Sequence, residues 1–185
     1  MCERAGVLNL GIEGIMTLGA MAGWMSVYMG ADLWTGVILA AIVGALFGAL
    51  HSMLTVSLGL SQHVTGIGIT LLASSLTYFI YRMVLPEVTS PPRIEAFTNY
   101  PIPLLSEIPW IGEALFNQSP LTYLAFILVI FVGLMVYRTP LGLAVRTAGE
   151  NPSAVEAQGM SVIGIRTGAV MFGSALMAIA GAFLT

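Results

Sequence analysis

The chain has little charge and almost no cysteine. Only 8% of its 185 residues are charged, whereas about a quarter of the residues of a soluble domain are. Hydrophobic residues make up 57% of the chain and the mean hydropathy is +0.93, so an ordinary soluble fold is excluded and an integral membrane protein is predicted. The single cysteine, Cys2, excludes an internal disulfide and a metal site built on cysteine.

The charge-free runs are long enough to cross a membrane. Residues 33–81 contain no Asp, Glu, Lys or Arg, which is room for two crossings at about 20 residues each. Five spans are predicted, at residues 12–30, 34–58, 64–81, 121–137 and 164 onward. We therefore expect an all-α fold, a polytopic bundle of transmembrane helices that forms one domain over residues 1–185.

Small residues recur at helical spacing within these spans. Gly44 and Gly48 are one such pair, and Gly164 and Gly168 are another. Such pairs let helix backbones approach closely in lipid, so tight packing between spans is expected. The chain ends inside an apolar run, residues 182–185, and we expect it to be a truncated piece of a longer protein.

Charge placement predicts the orientation of the spans. Three arginines, Arg138, Arg146 and Arg166, lie in the segment 138–166, and the positive-inside bias places such a segment in the cytoplasm. Alternation then puts the N-terminus in the cytoplasm and residues 82–120 outside. That outer segment is acidic and rich in proline, so we expect an extracytoplasmic loop with short helical pieces around residues 110–116.

The segment 138–166 is expected to hold two short helices. Thr139 and Asn151 each precede a proline and fit the N-cap position, while Gly149 and Gly159 fit helix stops. An alternative cap for the second helix is Ser153, with a glutamate three residues later.

Three motifs in the chain are similar to those of one transporter group. They are R-T-P-L-G at 138–142 followed by R-T-A-G-E-N at 146–151, N-L-G-I-E-G at 9–14, and G-L-S-Q-H-V-T-G at 59–66. Together they resemble the permeases of ATP-binding cassette (ABC) importers for sugars, nucleosides and branched-chain amino acids. The N-L-G-I-E-G segment resembles the nucleoside type, while Ser61 stands where those permeases carry Asn.

The resemblance implies a permease subunit of the cytoplasmic (inner) membrane with more spans than this sequence contains. It implies three partners besides the membrane lipid: an ABC ATPase subunit, a second permease subunit that is identical or different, and an extracytoplasmic solute-binding protein. The chain has no P-loop motif, so ATP hydrolysis is expected in another polypeptide and the chain itself is not expected to be an enzyme. No cofactor, metal or nucleic acid polymer is predicted.

The resemblance also implies that 138–166 is a coupling loop that docks on the ATPase and passes its closure to the spans. The alternative is a merely solvated loop. The residues assigned to coupling are Arg146, Gly149, Glu150, Asn151, Glu156 and Gly159.

Four polar residues are candidates for the translocation path. Asn9 and Glu13 are four apart, on one face if the segment is helical, although Glu13 could instead favour the start of the next helix. Gln62 and His63 could face a cavity or form interhelical hydrogen bonds. Two histidines without nearby Cys, Asp or Glu do not complete a metal site.

The solute is predicted to be small and neutral, a nucleoside or a simple sugar, because Glu13 is the only charged residue among the candidates for the translocation path. A branched-chain amino acid permease is the alternative, although a zwitterion needs compensating charge or helix dipoles. An intramembrane serine protease is less favoured, since Ser74 and Ser75 lack flanking glycines. A channel would require a ring of like charges or a carbonyl filter, and the spans show neither pattern.

Overall fold

The computed structural model describes residues 1–86, 92–94, 97–101 and 117–184. Within these ranges the fold is helical, as predicted. The helices are α1 (Ile12–Tyr28), α2 (Leu33–Ser52), α3 (Gln62–Val84), α4 (Pro120–Arg138), α5 (Pro140–Glu150), α6 (Pro152–Ala157) and α7 (Val162–Phe183), with a 3-10 helix at Glu3–Ala5 and a π-helical continuation of α2 at Met53–Ser57. Two short antiparallel strands, β1 (Tyr100–Pro101) and β2 (Asn117–Gln118), pair Tyr100 with Gln118.

Four of these helices are long and apolar enough to cross a membrane: α2 with its π-helical continuation, α3, α4 and α7. The first predicted span corresponds to α1, whose 17 residues lie at the lower limit for a crossing. The chain is therefore a multi-pass membrane protein, and the predicted spans match the observed helices to within a few residues at most ends.

Helices α1, α2 and α7 form the packed centre of the bundle. At Gly44 in α2, an added Cβ would lie 2.5 Å from the Cβ of Ala178 in α7, so only glycine allows the two backbones to come this close. In the part of the chain that the structure describes, a Cβ at either glycine of the predicted pair Gly164 and Gly168 would meet no other helix. Apart from the neighbouring backbone of α7 itself, no atom of the described chain lies within 4 Å of a Cβ at Gly168, whereas Ser174 and Ala178 of α7 lie against α2.

The spans alternate in direction, so the bundle has two distinct ends. At one end, which we term the strand end, the ring centroids of Trp34 and Phe97 are 5.2 Å apart and the Trp24 Nε1–H donates to the Pro92 carbonyl at 3.0 Å. At the other end, which we term the helix-pair end, lie α5, α6 and the N-terminal residues.

Helices take the two ends of the segment predicted as a loop at 82–120. Helix α3 continues to Val84, so Arg82 is helical, while α4 begins at Pro120. The short helical pieces expected around residues 110–116 fall outside the described residues.

Candidate functional site

The N-terminal segment, residues 1–11, carries the chain from the helix-pair end into the bundle without forming an α-helix. It makes the 3-10 turn at Glu3–Ala5 and turns at Gly6, whose φ of 77° lies in the left-handed region that favours glycine. It is then irregular until α1 begins at Ile12. Val7 and Asn9 are buried, so this segment places peptide groups inside a membrane protein where helix bonds do not satisfy them.

Helix α5 lies directly against the start of this segment. A Cβ at Gly149 would sit 3.0 Å from the Gly6 nitrogen and 3.1 Å from the Ala5 carbonyl carbon, and would collide with the Arg4 carbonyl oxygen. The prediction that Gly149 ends its helix is wrong, because α5 continues to Glu150 and Gly149 does not adopt a positive φ. A side chain would clash with the N-terminal segment there, so Gly149 is a packing glycine.

Two further contacts join the same elements. Ala5 packs in a buried cluster with Val145 of α5 and Ala169 of α7. The Arg166 Nη2–H donates to the Ala148 carbonyl at 2.8 Å. Helix α5 is therefore fixed both to the N-terminal segment and to the start of the last span.

The turn between α4 and α5 follows the predicted capping pattern. The Gly142 amide donates to the Thr139 Oγ1 at 3.1 Å, and the Thr139 hydroxyl donates to the Met135 carbonyl at 2.6 Å. One side chain thus ends α4 and begins α5, which confirms Thr139 as the N-cap.

The start and stop of α6 are also as predicted. The Ala154 amide donates to the Asn151 Oδ1 at 3.3 Å, so Asn151 is the cap, and Ser153 instead donates its hydroxyl to that oxygen at 2.7 Å. Gly159 has a φ of 74° and stops the helix. Val155 is fully buried and packs with Ala148, so α6 rests on α5.

The residues predicted to act in coupling divide into two groups. Arg146 and Gly149 face the bundle, since the Arg146 guanidinium lies 5.5 Å from the centroid of the Tyr137 ring and Gly149 contacts the N-terminal segment. Tyr137 also accepts a hydrogen bond from the Arg4 Nη2–H at 3.3 Å. The second group is exposed at the helix-pair end: Glu150, Asn151, Glu156 and Gly159.

The peptide groups of the N-terminal segment are bonded by side chains from two spans. Gln62 of α3 accepts from the Leu8 amide at 2.7 Å and donates to the Gly6 carbonyl at 3.4 Å. His51 of α2 lies with its Nε2 3.3 Å from the Leu8 carbonyl, and since a carbonyl only accepts, Nε2 carries the proton. These bonds replace those that a helix would have provided.

Asn9 ties the segment to the last span. Its Nδ2–H donates to the Ser174 Oγ of α7 at 3.2 Å, and its Oδ1 accepts from the Gly11 amide at 2.9 Å. Asn9 is buried, whereas Glu13 is exposed in the first turn of α1. The two do not share a helical face as expected, because α1 begins only at Ile12.

His63 does not join this group of contacts. It is exposed in the first turn of α3, next to Gln62. Of the four residues predicted to line a path, Asn9 lies buried in the N-terminal segment and Gln62 is bonded to it. Glu13 and His63 lie on exposed surface. Among the residues that the structure describes, no group of three His, Cys, Asp or Glu side chains could hold a metal ion.

Comparison with known proteins places the chain in a family. The model of the family described as "Branched-chain amino acid transport system / permease component" matches residues 1–185. No solved structure matches the chain.

Three relatives are similar over nearly the whole chain. A Haloferax volcanii protein provisionally named a glucose ABC transporter permease is 35% identical over 99% of this chain and 55% of its own length. The nucleoside ABC transporter permease of Lactococcus lactis subsp. cremoris is 33% identical over 97% and 59%. The guanosine ABC transporter permease of Bacillus subtilis is 32% identical over 91% and 55%.

The chain thus spans between 55% and 59% of the length of these relatives. Within that part, the family model and the relatives agree along the chain, and the apolar helices fit a membrane-embedded transport component. The chain belongs to the permease-component family of branched-chain amino acid transport systems.

Proposed function

We propose that the chain forms part of the permease subunit of an ABC importer that carries a small neutral solute, a nucleoside or a simple sugar. The observation that carries the proposal is the similarity, at 32 to 35% identity, to relatives named for guanosine, nucleosides and glucose. The permease provides a path and no covalent chemistry, and a separate ATPase subunit hydrolyses ATP.

The helix-pair end is the side on which the ATPase docks. Four exposed residues form the docking surface: Glu150 at the end of α5, Glu156 in α6, and Asn151 and Gly159 on either side of α6. Val155 anchors α6 to α5. In this arrangement the helix-pair end and the N-terminus are cytoplasmic. The strand end faces the solute-binding protein, and a second permease subunit completes the path.

Movement of α5 reaches the spans through the N-terminal segment. Because Gly149 of α5 contacts the backbone of residues 4–6, a displacement of α5 moves the N-terminal segment. This segment is bonded to α2 and α3 at Leu8 and to α7 at Asn9. A small rigid-body shift of the helix pair is therefore passed to three spans. Arg166 adds a direct link from α5 to α7.

Asn9 and Gln62 shape the path by holding the N-terminal segment in place. Their polar atoms are bonded to peptide groups and to Ser174. Glu13 and His63 are exposed on the α1 and α3 surfaces and supply the polar groups that remain for solute or solvent.

A neutral solute fits the charges of the described spans. Arg166 is bonded to the Ala148 carbonyl and Arg82 to the Tyr78 hydroxyl, and Arg138 lies at the last position of α4. Glu13 is the only carboxylate within the described spans. A zwitterionic amino acid needs opposite charges or helix dipoles at both of its ends.

Uptake competition tests the solute class. The complete transporter, with the full-length permease, its ATPase and its binding protein, is reconstituted in vesicles and supplied with labelled guanosine or glucose. We expect one of them to be imported and its uptake to be competed by unlabelled nucleosides or sugars. Import of leucine or valine alone would refute the neutral solute and would favour the amino acid transport named in the family description.

A further inference from the structure

Two arginines meet at one tyrosine ring at the helix-pair end. The Arg4 Nη2–H donates to the Tyr137 hydroxyl at 3.3 Å, and the guanidinium carbon of Arg146 lies 5.5 Å from the centroid of the same ring. The three residues belong to the N-terminal segment, α4 and α5, so the fold brings the two cations together. Arg4 and Tyr137 are exposed and Arg146 is half-buried. We term these three residues the arginine cluster.

No carboxylate of the described chain neutralises the arginine cluster. Neither Arg4 nor Arg146 forms an ion pair within the described residues, and their side-chain interactions there are the two contacts with Tyr137. Arg138 follows Tyr137 and is exposed, and its side chain forms no hydrogen bond or ion pair with a described residue. Like charges repel each other, so an anion that binds at this place is favoured.

The chemistry of guanidinium groups indicates which anion fits. Each guanidinium presents several N–H donors in one plane, which suits the oxygens of a phosphate or a carboxylate. Two such groups at one ring can each donate to a different oxygen of the same phosphate. A phosphate group is therefore the ligand that the arginine cluster fits.

The side chains around the arginine cluster are apolar and exposed. Leu143 precedes Arg146 by three residues in α5, and Leu134 precedes Tyr137 by three residues in α4, so each leucine shares a helix face with a member of the cluster. Leu143 is 58% exposed and Leu134 is 56% exposed. Tyr137 lies in the last turn of a span, where tyrosine is typical of the boundary between lipid and water. A ligand that meets cations at one end and leucines beside them has the chemistry of a phospholipid.

We propose that the arginine cluster binds the phosphate of an anionic phospholipid in the membrane leaflet at the helix-pair end, with Leu134 and Leu143 against its hydrocarbon part. A headgroup with net negative charge is preferred to a zwitterionic one, because several cations face it and no carboxylate of the described chain offsets them. The bound lipid joins the N-terminal segment to α4 and α5. The site uses other residues than the surface proposed for the ATPase and does not depend on the identity of the solute.

Thermal unfolding in the presence of added lipid tests the site. The full-length permease is purified in a neutral detergent, and its unfolding midpoint is measured with phosphatidylglycerol, with phosphatidylcholine of the same acyl chains, and with inorganic phosphate. A ligand that binds the folded state raises the midpoint. We expect phosphatidylglycerol to raise it by several degrees more than phosphatidylcholine does, and inorganic phosphate to leave it unchanged. Added salt should reduce the difference between the lipids, because it screens exposed charges.

A double variant with a matched control locates the effect. Arg4→Gln combined with Arg146→Gln removes both charges at Tyr137, and the preference for phosphatidylglycerol should be lost. Arg82→Gln is the control, because Arg82 also lies over a tyrosine ring, that of Tyr78 at 5.7 Å, but at the strand end. This control should keep the full preference for phosphatidylglycerol.

Lipid retained by the wild-type permease gives a second readout that requires no variant. After mild extraction, mass spectrometry should find phosphatidylglycerol or another anionic phospholipid enriched on the protein relative to the membrane of origin. Absence of enrichment, or equal midpoints with the two lipids, overturns the proposal.

Three further results would also overturn it. An equal response of the double variant and the wild type to phosphatidylglycerol would place the lipid elsewhere. An equal rise with inorganic phosphate would indicate a site for a free anion. If the wild type shows no preference between the lipids and the double variant no longer binds the ATPase subunit, the arginine cluster contacts that subunit instead. None of these results alters the proposed import function, which uptake of the labelled solutes tests separately.

Discussion

The two ends of the bundle use their polar groups differently. At the helix-pair end, Gln62 and Arg166 are bonded to main-chain groups of neighbouring elements at 2.7 and 2.8 Å. At the strand end, Ser74 and Thr77 line an open cavity. Breaking such bonds leaves part-buried groups unsatisfied, so these bonds join neighbouring elements, whereas the Ser74 side chain at the strand end is exposed. Under the proposed function, the helix-pair end is therefore the end that passes movement to the spans.

The largest effect is expected from Gly149→Ala. The added methyl meets the Arg4 carbonyl and the Gly6 amide, and overpacking of this kind costs about 1–3 kcal/mol. Solute uptake should fall more than for substitutions at Gln62, Asn151 or Cys2, and ATP hydrolysis stimulated by the binding protein should fall with it. Gly168→Ala is the control, because nothing in the described chain lies within 4 Å of its Cβ and alanine favours the helix. Normal uptake by the Gly149 variant would show that this contact is not part of the transmission.

Gln62→Leu should have the next largest effect. It removes both side-chain bonds to the N-terminal segment and leaves the Leu8 amide without its partner. A hydrogen bond contributes about 0.5–1.5 kcal/mol, and the bond lost here is part-buried, so the thermal unfolding midpoint of the purified full-length permease should drop. His63→Leu, at the exposed neighbouring position, should leave the midpoint nearly unchanged. Equal midpoints for the two variants would contradict the role given to Gln62.

Asn151→Ala tests the second short helix. Loss of an N-cap costs about 0.5–2 kcal/mol, and hydrogen exchange of the amides in α6 should quicken while that of α7 stays as it was. Ser153→Ala is the comparison, since Ser153 only donates to the cap oxygen and should have the smaller effect. A larger effect at Ser153 would mean that Ser153, with Glu156 three residues later, caps the helix instead of Asn151.

The last and smallest predicted effect is on the rate at which a thiol reagent labels Cys2. Burial raises the pKa of this thiol, and its side chain lies 3.8 Å from the Ala169 carbonyl. The thiolate is the reactive form, so a raised pKa leaves less of it at about pH 8 and labelling should be slow until the protein is denatured. Rapid labelling of native protein would show that the N-terminal segment leaves its position against α7.

Local patterns in the sequence predict the parts of the fold that depend on neighbouring residues. Long apolar runs give the spans, and Thr139, Asn151 and Gly159 cap or stop helices through bonds within four residues. The prediction that Gly149 ends a helix fails because the residue that it packs against, Arg4, lies 145 residues earlier in the chain. In the sequence alone, a glycine beside polar residues looks like the end of a helix. No local signal distinguishes packing against a distant backbone from a left-handed turn.

The same limit applies to the centre of the bundle. The sequence identifies Asn9 and Gln62 as unusual polar residues at membrane depth, but their partners cannot be predicted because the pairs are separated by 165 and 54 residues. Ser174 carries no signal of its own in a span rich in small residues. His51 has no motif that marks it, and its bond to Leu8 depends on the non-helical course of the N-terminal segment.

Photocrosslinking from Glu156 tests most directly whether the helix-pair end couples to the ATPase. Glu156 is exposed on α6, so a photoreactive amino acid at this position disturbs no contact of the bundle described above. In the assembled transporter it should form an adduct with the ATPase subunit, whereas the same group at Asn99, exposed at the strand end, should not. An ATPase adduct from Asn99 and none from Glu156 would contradict the account.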